Sequence, residues 1–188
     1  AIMSEDQEQA VTAWLRQGKD LIVTGDTALY DEEGEWRGPG LLYEELGVEI
    51  ESKLEGADAK DEDNWMVSDT HNYLEIAQPP HPIFRKLQGT GLLPFGGRIR
   101  RTASKGALRG VAAYIPPFPI YPPEFSWIRE RPSLAAVYAG TLKSGSRVVY
   151  IPADVDRCYA ALRIPDQRKL LEGAVRWAGR RALPVTVQ

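Results

Sequence analysis

The sequence contains one cysteine, Cys158, and two histidines, His71 and His81, among 188 residues. A single thiol excludes an intrachain disulfide framework and any multi-cysteine zinc or iron–sulfur site. Two imidazoles cannot fill a three-histidine site, so no metal is expected, nor any other cofactor. No stretch of eighteen apolar residues occurs, and nothing reads as a membrane-spanning helix. Positive charge is not in excess. Lys+Arg is 23 against 26 Asp+Glu, a formal net of −3. Nucleic acid and anionic membrane are therefore not the expected partners. There is no GxGxxG and no Walker loop, so phosphate cradling has no support. The opening Ala1-Ile2-Met3 has neither the basic nor the apolar region of a signal peptide.

What is present is an ordinary globular mixture, 43% hydrophobic and 26% charged, in a length suited to one domain. Ser4 and Gln7 form a capping-box pattern. Ala10, Val11, Trp14 and Leu15 then recur at helical spacing up to a glycine stop at Gly18. Residues 20–24, DLIVT, follow as a short apolar strand. A helix, a stop and a buried strand make the αβ half of a parallel unit. Residues 39–46 predict a second helix, with Leu41, Leu42 and Leu46 on one face and Gly47 ending it. Val48–Glu51 and Asn72–Ala77 predict strands, and residues 52–70 a polar surface loop. Pro79-Pro80-His81-Pro82 predicts a rigid turn before a short helix at 83–87. Two strands are expected within 96–115, a stiff proline-rich connector at 116–123, and a hairpin of 134–139 with 147–151 around Lys143-Ser144-Gly145. Pro165 opens the last helix, whose buried face is expected to hold Leu170, Leu171, Ala174, Val175 and Ala178. Leu183–Val187 reads as a final edge strand.

Charge is uneven. Residues 31–63 carry a local net of −10, and residues 85–109 a local net of +7. Two readings stand: solvated segments that face each other, or complementary patches across a homo-oligomer interface.

Three segments could carry chemistry. In LIVTGDTALYDEEGEWR, residues 21–37, Asp26, Thr27, Tyr30 and Asp31 leave the carboxyl end of a strand, where open α/β sheets place ligands. The plain alternative is turn chemistry. In IPADVDRCY, residues 151–159, Asp154, Asp156 and Arg157 leave another apolar strand. Two such exits could converge on one crevice, and a glycosidase needs two carboxyl groups on facing sides of its bond. The plain alternative is a local Asp156–Arg157 pair. In PPFPIYPPEFSW, residues 116–127, proline would hold Tyr121, Glu124 and Trp127 in fixed places, for a carbohydrate or protein contact or for packing by Phe118 and Phe125. Cys158 lacks a nucleophile elbow, and a buried structural thiol is expected.

The ordered runs SEDQEQAVTAWLRQGKDLIVTGDTALYDEEGEWR, LLYEELGV, HPIFRKL, PPFPIYPPE, SRVVYIPADVDRCY and AVRWAG resemble the β-galactosidase trimerisation domain and related glycoside-hydrolase-like proteins. The resemblance implies an α/β fold of the class I glutamine-amidotransferase-like kind. That is a flavodoxin-like three-layer sandwich with a mainly parallel central sheet. It implies a domain that follows a catalytic barrel, supports oligomerisation and walls the active site, while the barrel supplies the acids. It also implies that Ala1-Ile2-Met3 is the tail of an earlier strand, and so that the single domain is incomplete at its N-terminus. The cysteine elbow and late histidine–glutamate pair of true amidotransferases have no counterpart here.

The expectation is a noncatalytic accessory or oligomerisation domain, partnered by a glycosidase barrel or by further copies of itself. Asp26, Thr27, Tyr30, Asp31, Tyr121, Glu124, Asp154, Asp156 and Arg157 are its candidates for a carbohydrate-facing crevice. Two other classes remain open. One is a free-standing hydrolase acting on a sugar or polyol, with Asp26 and Asp154 as acid and base. The other is a pure protein-interaction module.

Overall fold

The computed structural model describes residues 2–56, 72–116 and 133–180. The proline-rich connector with Tyr121, Glu124 and Trp127 lies outside the described residues. So do His71 and the expected strand at 183–187.

The chain opens as its local signals require. Ser4 Oγ accepts from Gln7 N at 3.3 Å, and Gln7 Oε1 accepts from Ser4 N at 3.1 Å, which caps α1 (Glu5–Arg16). Gly18 takes φ 79°, a left-handed conformation that costs a glycine nothing. The strand β1 (Leu21–Thr24) and helix α2 (Leu41–Leu46) follow, with Gly47 closing α2 in left-handed geometry. Glu8 is buried in α1. It accepts from Leu42 N at 3.0 Å, and so caps α2 from outside that helix.

The remaining elements are β2 (Val48–Gly56), β3 (Tyr73–Ile76), a 3-10 helix (Pro82–Leu87), β4 (Leu92–Pro94), β5 (Arg98–Ser104), β6 (Arg109–Ile115), β7 (Ala135–Thr141), β8 (Arg147–Ile151), α3 (Val155–Leu162) and α4 (Pro165–Ala178). Strand β2 thus extends into the expected loop, and α3 begins where only an acid-bearing loop was expected.

Six strands form an open sheet in the order β1-β8-β7-β6-β3-β4. The expected mainly parallel sheet is corrected to a mixed one. Only β1 and β8 run parallel, and the other neighbours pair antiparallel. The reason is connection length. The short turn between β7 and β8 can join only antiparallel neighbours, whereas a parallel pair needs a long crossover. β1 and β8 have the whole middle of the chain between them.

Core residues alternate along β8. Val148 and Tyr150 join a cluster with Leu15, Leu42, Tyr43 and Leu46 from α1 and α2. Val149 and Ile151 join Val155, Leu170 and Ala174 from α3 and α4. This period of two places helices on both faces of the sheet. Three expected core positions lie outside: Trp14 is 51% exposed, and Leu41 and Val175 are also exposed; a fourth, Leu171, is half-buried against the core. Gln167 and Gly173 take buried places on α4 instead.

Two buried amides set the path into β5. Asn72 Nδ2 donates to Gly97 O at 2.7 Å, and its Oδ1 accepts from Gly96 N at 2.6 Å. Gln167 Nε2 donates to Phe95 O at 2.7 Å. The chain then leaves the main sheet, and β5 pairs antiparallel with β2 in a separate two-stranded ribbon. This pairing brings the acidic and basic segments together within one chain, with Lys105 bound to Glu49.

His81 caps the 3-10 helix. Its Nδ1 accepts from Ile83 N at 3.4 Å, and its ring meets Trp177 edge-on at 4.9 Å. Burial lowers its pKa from the usual 6.5. The unfolded chain therefore binds the proton more readily than the folded one. His81's contribution is fully present above about 6.5 and is lost as pH falls through its folded pKa. A His81→Asn variant keeps a capping acceptor and removes the titration. Its stability relative to the native chain is expected to rise as pH drops through that window. Urea midpoints at paired pH values measure it, and a pH-independent difference would sink the idea.

Candidate functional site

β1 and β8 are parallel neighbours, so their exits lie side by side, and the Gly25 amide donates across to Ile151 O at 2.8 Å. At these exits Thr24 Oγ1 donates to Asp156 Oδ2 at 2.7 Å. The ribbon strand β5 crosses both. Ile99 bridges to Ala153, and the Arg98 amide donates to Asp154 Oδ1 at 2.8 Å. Gly97 is needed for this approach, because a Cβ there would overlap Asp154 Oδ1 and Cys158 Sγ.

Arg100 is the centre of the site. It is 3% exposed and grips Asp26 with both branches of its fork, Nε to Oδ1 at 2.8 Å and Nη2 to Oδ2 at 2.7 Å. Nη2 also donates to Tyr30 Oη at 2.8 Å, and Nη1 to the Ser52 carbonyl at the β2 irregularity. The guanidinium carbon sits 4.5 Å from the centre of the Trp36 ring, which Tyr30 meets edge-on at 5.5 Å. Burial lowers the pKa of Arg100, but the hydrogen bond and charge of Asp26, with Tyr30 beside it, outweigh that and raise it. The pair is a bidentate, charge-assisted lock between the ribbon and the β1 exit.

The other candidates have plain partners. Thr27 Oγ1 donates to Thr24 O at 2.7 Å, and Thr27 O accepts from Tyr43 Oη at 2.5 Å. Asp31 Oδ1 accepts from Glu33 N and Glu35 N and shapes the acidic turn. The Arg157 amide donates to Asp156 Oδ1 at 2.9 Å, a local contact between the two, while the Arg157 guanidinium pairs with Asp154 at 2.6 Å. Cys158 is buried, with Sγ 3.5 Å from Asp154 Oδ1. The structure therefore brings Asp26, Tyr30, Asp154, Asp156 and Arg157 to one end of the β1–β8 pair. Asp31 sits in a turn of its own.

Sequence reading missed Arg100, Trp36 and Glu8. Arg100 showed only as part of a basic run. Glu8 had a signal, since positions 8, 12 and 15 share one helical face, and all three are buried.

As chemistry, the arrangement suits anchoring. A general acid must hold a proton, and both Asp26 oxygens accept from a guanidinium. Asp154 spends one oxygen on Arg157 and the other on the Arg98 amide. Among the described residues no cluster of three or more His, Cys, Asp or Glu could hold a metal ion. No described helix is long and apolar enough to cross a membrane.

Fold and site together define an open-sheet α/β domain whose β1 and β8 exits are crossed by its own ribbon. No protein-family model matches the chain, and no curated protein matches it in sequence. Solved structures with this fold include β-galactosidases and other glycoside hydrolases, and the chain spans only about a fifth of their length. The β-galactosidase from Bacillus circulans sp. alkalophilus matches with a TM-score of 0.61 and 11% identity, over 95% of this chain and 21% of its own. The α-L-fucosidase isoenzyme 2 from Paenibacillus thiaminolyticus matches with 0.56 and 15%, over 94% and 23%. The mmIFT52 N-terminal domain matches with 0.55 and 10%, over 98% and 75%. At these identities the likeness establishes the fold alone.

Proposed function

We propose that this chain is a noncatalytic accessory domain of a glycoside-hydrolase-like protein, and that its β1–β8 exits wall a carbohydrate-facing or subunit-facing crevice. The observation that carries the reading is the match of nearly the whole chain to about a fifth of several glycosidase chains. The consumption of Asp26 and Asp154 by arginines supports it from within, because neither carboxylate is left as a free acid. The finer flavodoxin-like, amidotransferase-like assignment belongs to the same reading. The parallel β1–β8 pair with helices on both faces is what supports it. Asp26, Thr27, Tyr30, Asp31, Asp154, Asp156 and Arg157 would then shape the crevice.

The experiment is an assay of the chain alone against aryl β-galactosides and aryl α-fucosides. No turnover is expected. Turnover abolished by both Asp26→Asn and Asp154→Asn would instead establish the free-standing hydrolase. The pure interaction module draws on a different observation. The mmIFT52 N-terminal domain match covers 75% of that chain, so the fold also makes up most of a chain by itself. That reading expects no sugar binding by calorimetry.

A further inference from the structure

The 3-10 helix (Pro82–Leu87) packs chiefly on α4. The seam between them is close. A Cβ at Gly173 would overlap the Ile83 carbonyl oxygen, so backbone meets backbone there. The 3-10 helix gives Ile83, Phe84 and Leu87 to the core, and α4 gives Leu170 and Ala174. His81 joins the two elements. Its Nδ1 accepts from Ile83 N at 3.4 Å, and its carbonyl oxygen accepts from Phe84 N at 2.9 Å. Its ring lies edge-on to Trp177 of α4. One residue therefore caps the 3-10 helix and touches the helix on which it sits.

The cap requires a neutral imidazole. A proton on Nδ1 turns the acceptor into a donor, and two N–H groups then face each other at Ile83. The new charge would stand among cations. Trp177 already carries Arg147, whose guanidinium carbon lies 5.4 Å from the ring centre and whose Nη1 donates to Trp177 O at 3.0 Å. The 3-10 helix brings Arg85 and Lys86, and α4 brings Arg168, Lys169 and Arg176. The acids of α4 are engaged. Asp166 pairs with Lys169, and Glu172 with Lys86 and Arg168. Asp20, which accepts from the Arg147 amide, pairs with Arg180.

We propose that His81 is an acid-sensitive latch, and that a proton on its Nδ1 loosens the 3-10 helix from α4 while the six-stranded sheet stays folded. Opening the seam returns the imidazole to water, where it takes the proton more readily, so acid favours the opened form. The opened seam uncovers Ile83, Phe84 and Leu87 with Leu170 and Ala174, an apolar surface kept closed at neutral pH. The effect is local, and in this it goes further than a change in overall stability. The latch does not depend on the glycosidase reading.

The experiment is amide hydrogen exchange of the full chain, read residue by residue by NMR, from above pH 6.5 down through the titration of His81. Protection of the Ile83 and Phe84 amides, corrected for the intrinsic effect of pH on exchange, is expected to fall by about three- to tenfold. The Val149 and Tyr150 amides of β8 should keep theirs. The ring signals of His81, identified by their loss in His81→Asn, should titrate in step with the fall. His81→Asn keeps an acceptor for the Ile83 amide, and its protection at Ile83 and Phe84 should hold constant over the same range. An equal fall at β8 would make the effect global and overturn the latch. So would a fall that survives His81→Asn, or no fall at all.

Discussion

Asp26→Ala is expected to destabilise the fold by about 3–5 kcal/mol, the range for removing one partner of a buried ion pair. The asymmetry of the pair makes the test sharp. Arg100 is 3% exposed, so losing Asp26 strands a buried cation with only Tyr30, the Ser52 carbonyl and the Trp36 face. The Asp26 side chain is 28% exposed and can turn to water when Arg100 is lost. Arg100→Met should therefore cost less, about 1–3 kcal/mol, chiefly for hydrogen bonds left unmade. The double variant should cost less than the sum, because it removes the stranded charge along with its partner. Urea denaturation of the three variants measures all of this. An Asp26→Ala cost below about 1 kcal/mol, or strict additivity, would mean that the lock contributes little.

Gly173→Ala carries the second large effect, and its expected sign is opposite to that of helix propensity. In the middle of a helix, alanine is favoured over glycine by about 1 kcal/mol. Here α4 lies so close to the 3-10 helix that a Cβ at residue 173 would overlap the Ile83 carbonyl oxygen. That oxygen is backbone and cannot rotate away as a side chain would. The two elements must separate, which also strains the packing of Ile83 and Phe84 in the core. A net loss of about 3 kcal/mol is expected, at the upper end of ordinary overpacking. A raised or unchanged urea midpoint would show that the approach relaxes without cost.

Legibility followed the range of the interactions. The Ser4–Gln7 cap, the Gly18 and Gly47 stops, the hairpin turn at 143–145 and the Pro165 start all act over a few residues, and each appears where the pattern placed it. The parallel order of the sheet was misjudged, because pairing is settled by which distant strands meet. The helix α3 was missed because its start lacks a side-chain cap, and Asp154 spends its carboxylate on Arg98 and Arg157 instead. Trp14 fits the helical face by spacing, yet it lies at the sheet edge, and spacing cannot say where a sheet stops.

The candidate site divides in the same way. Asp26, Tyr30, Asp154 and Asp156 were legible as residues leaving two strands, and the adjacency of β1 and β8 does bring those exits together. Arg100 was not legible. It becomes a partner of Asp26, 74 positions away, only because Asn72, Gln167 and Gly97 steer β5 out of the main sheet and across the exits.

The sequence by itself determined the α/β class, the caps and stops of the first two helices, the hairpin, and the absence of disulfide or multi-cysteine metal chemistry. These depend on composition and on contacts a few residues long. The tertiary structure alone decided that the sheet is mixed, that the acidic and basic segments pair within one chain, and that Asp26 and Asp154 are held by arginines. Those outcomes rest on contacts between residues far apart in the chain. Such contacts form only where burial and hydrogen bonding across the whole fold outweigh the entropy of closing long loops.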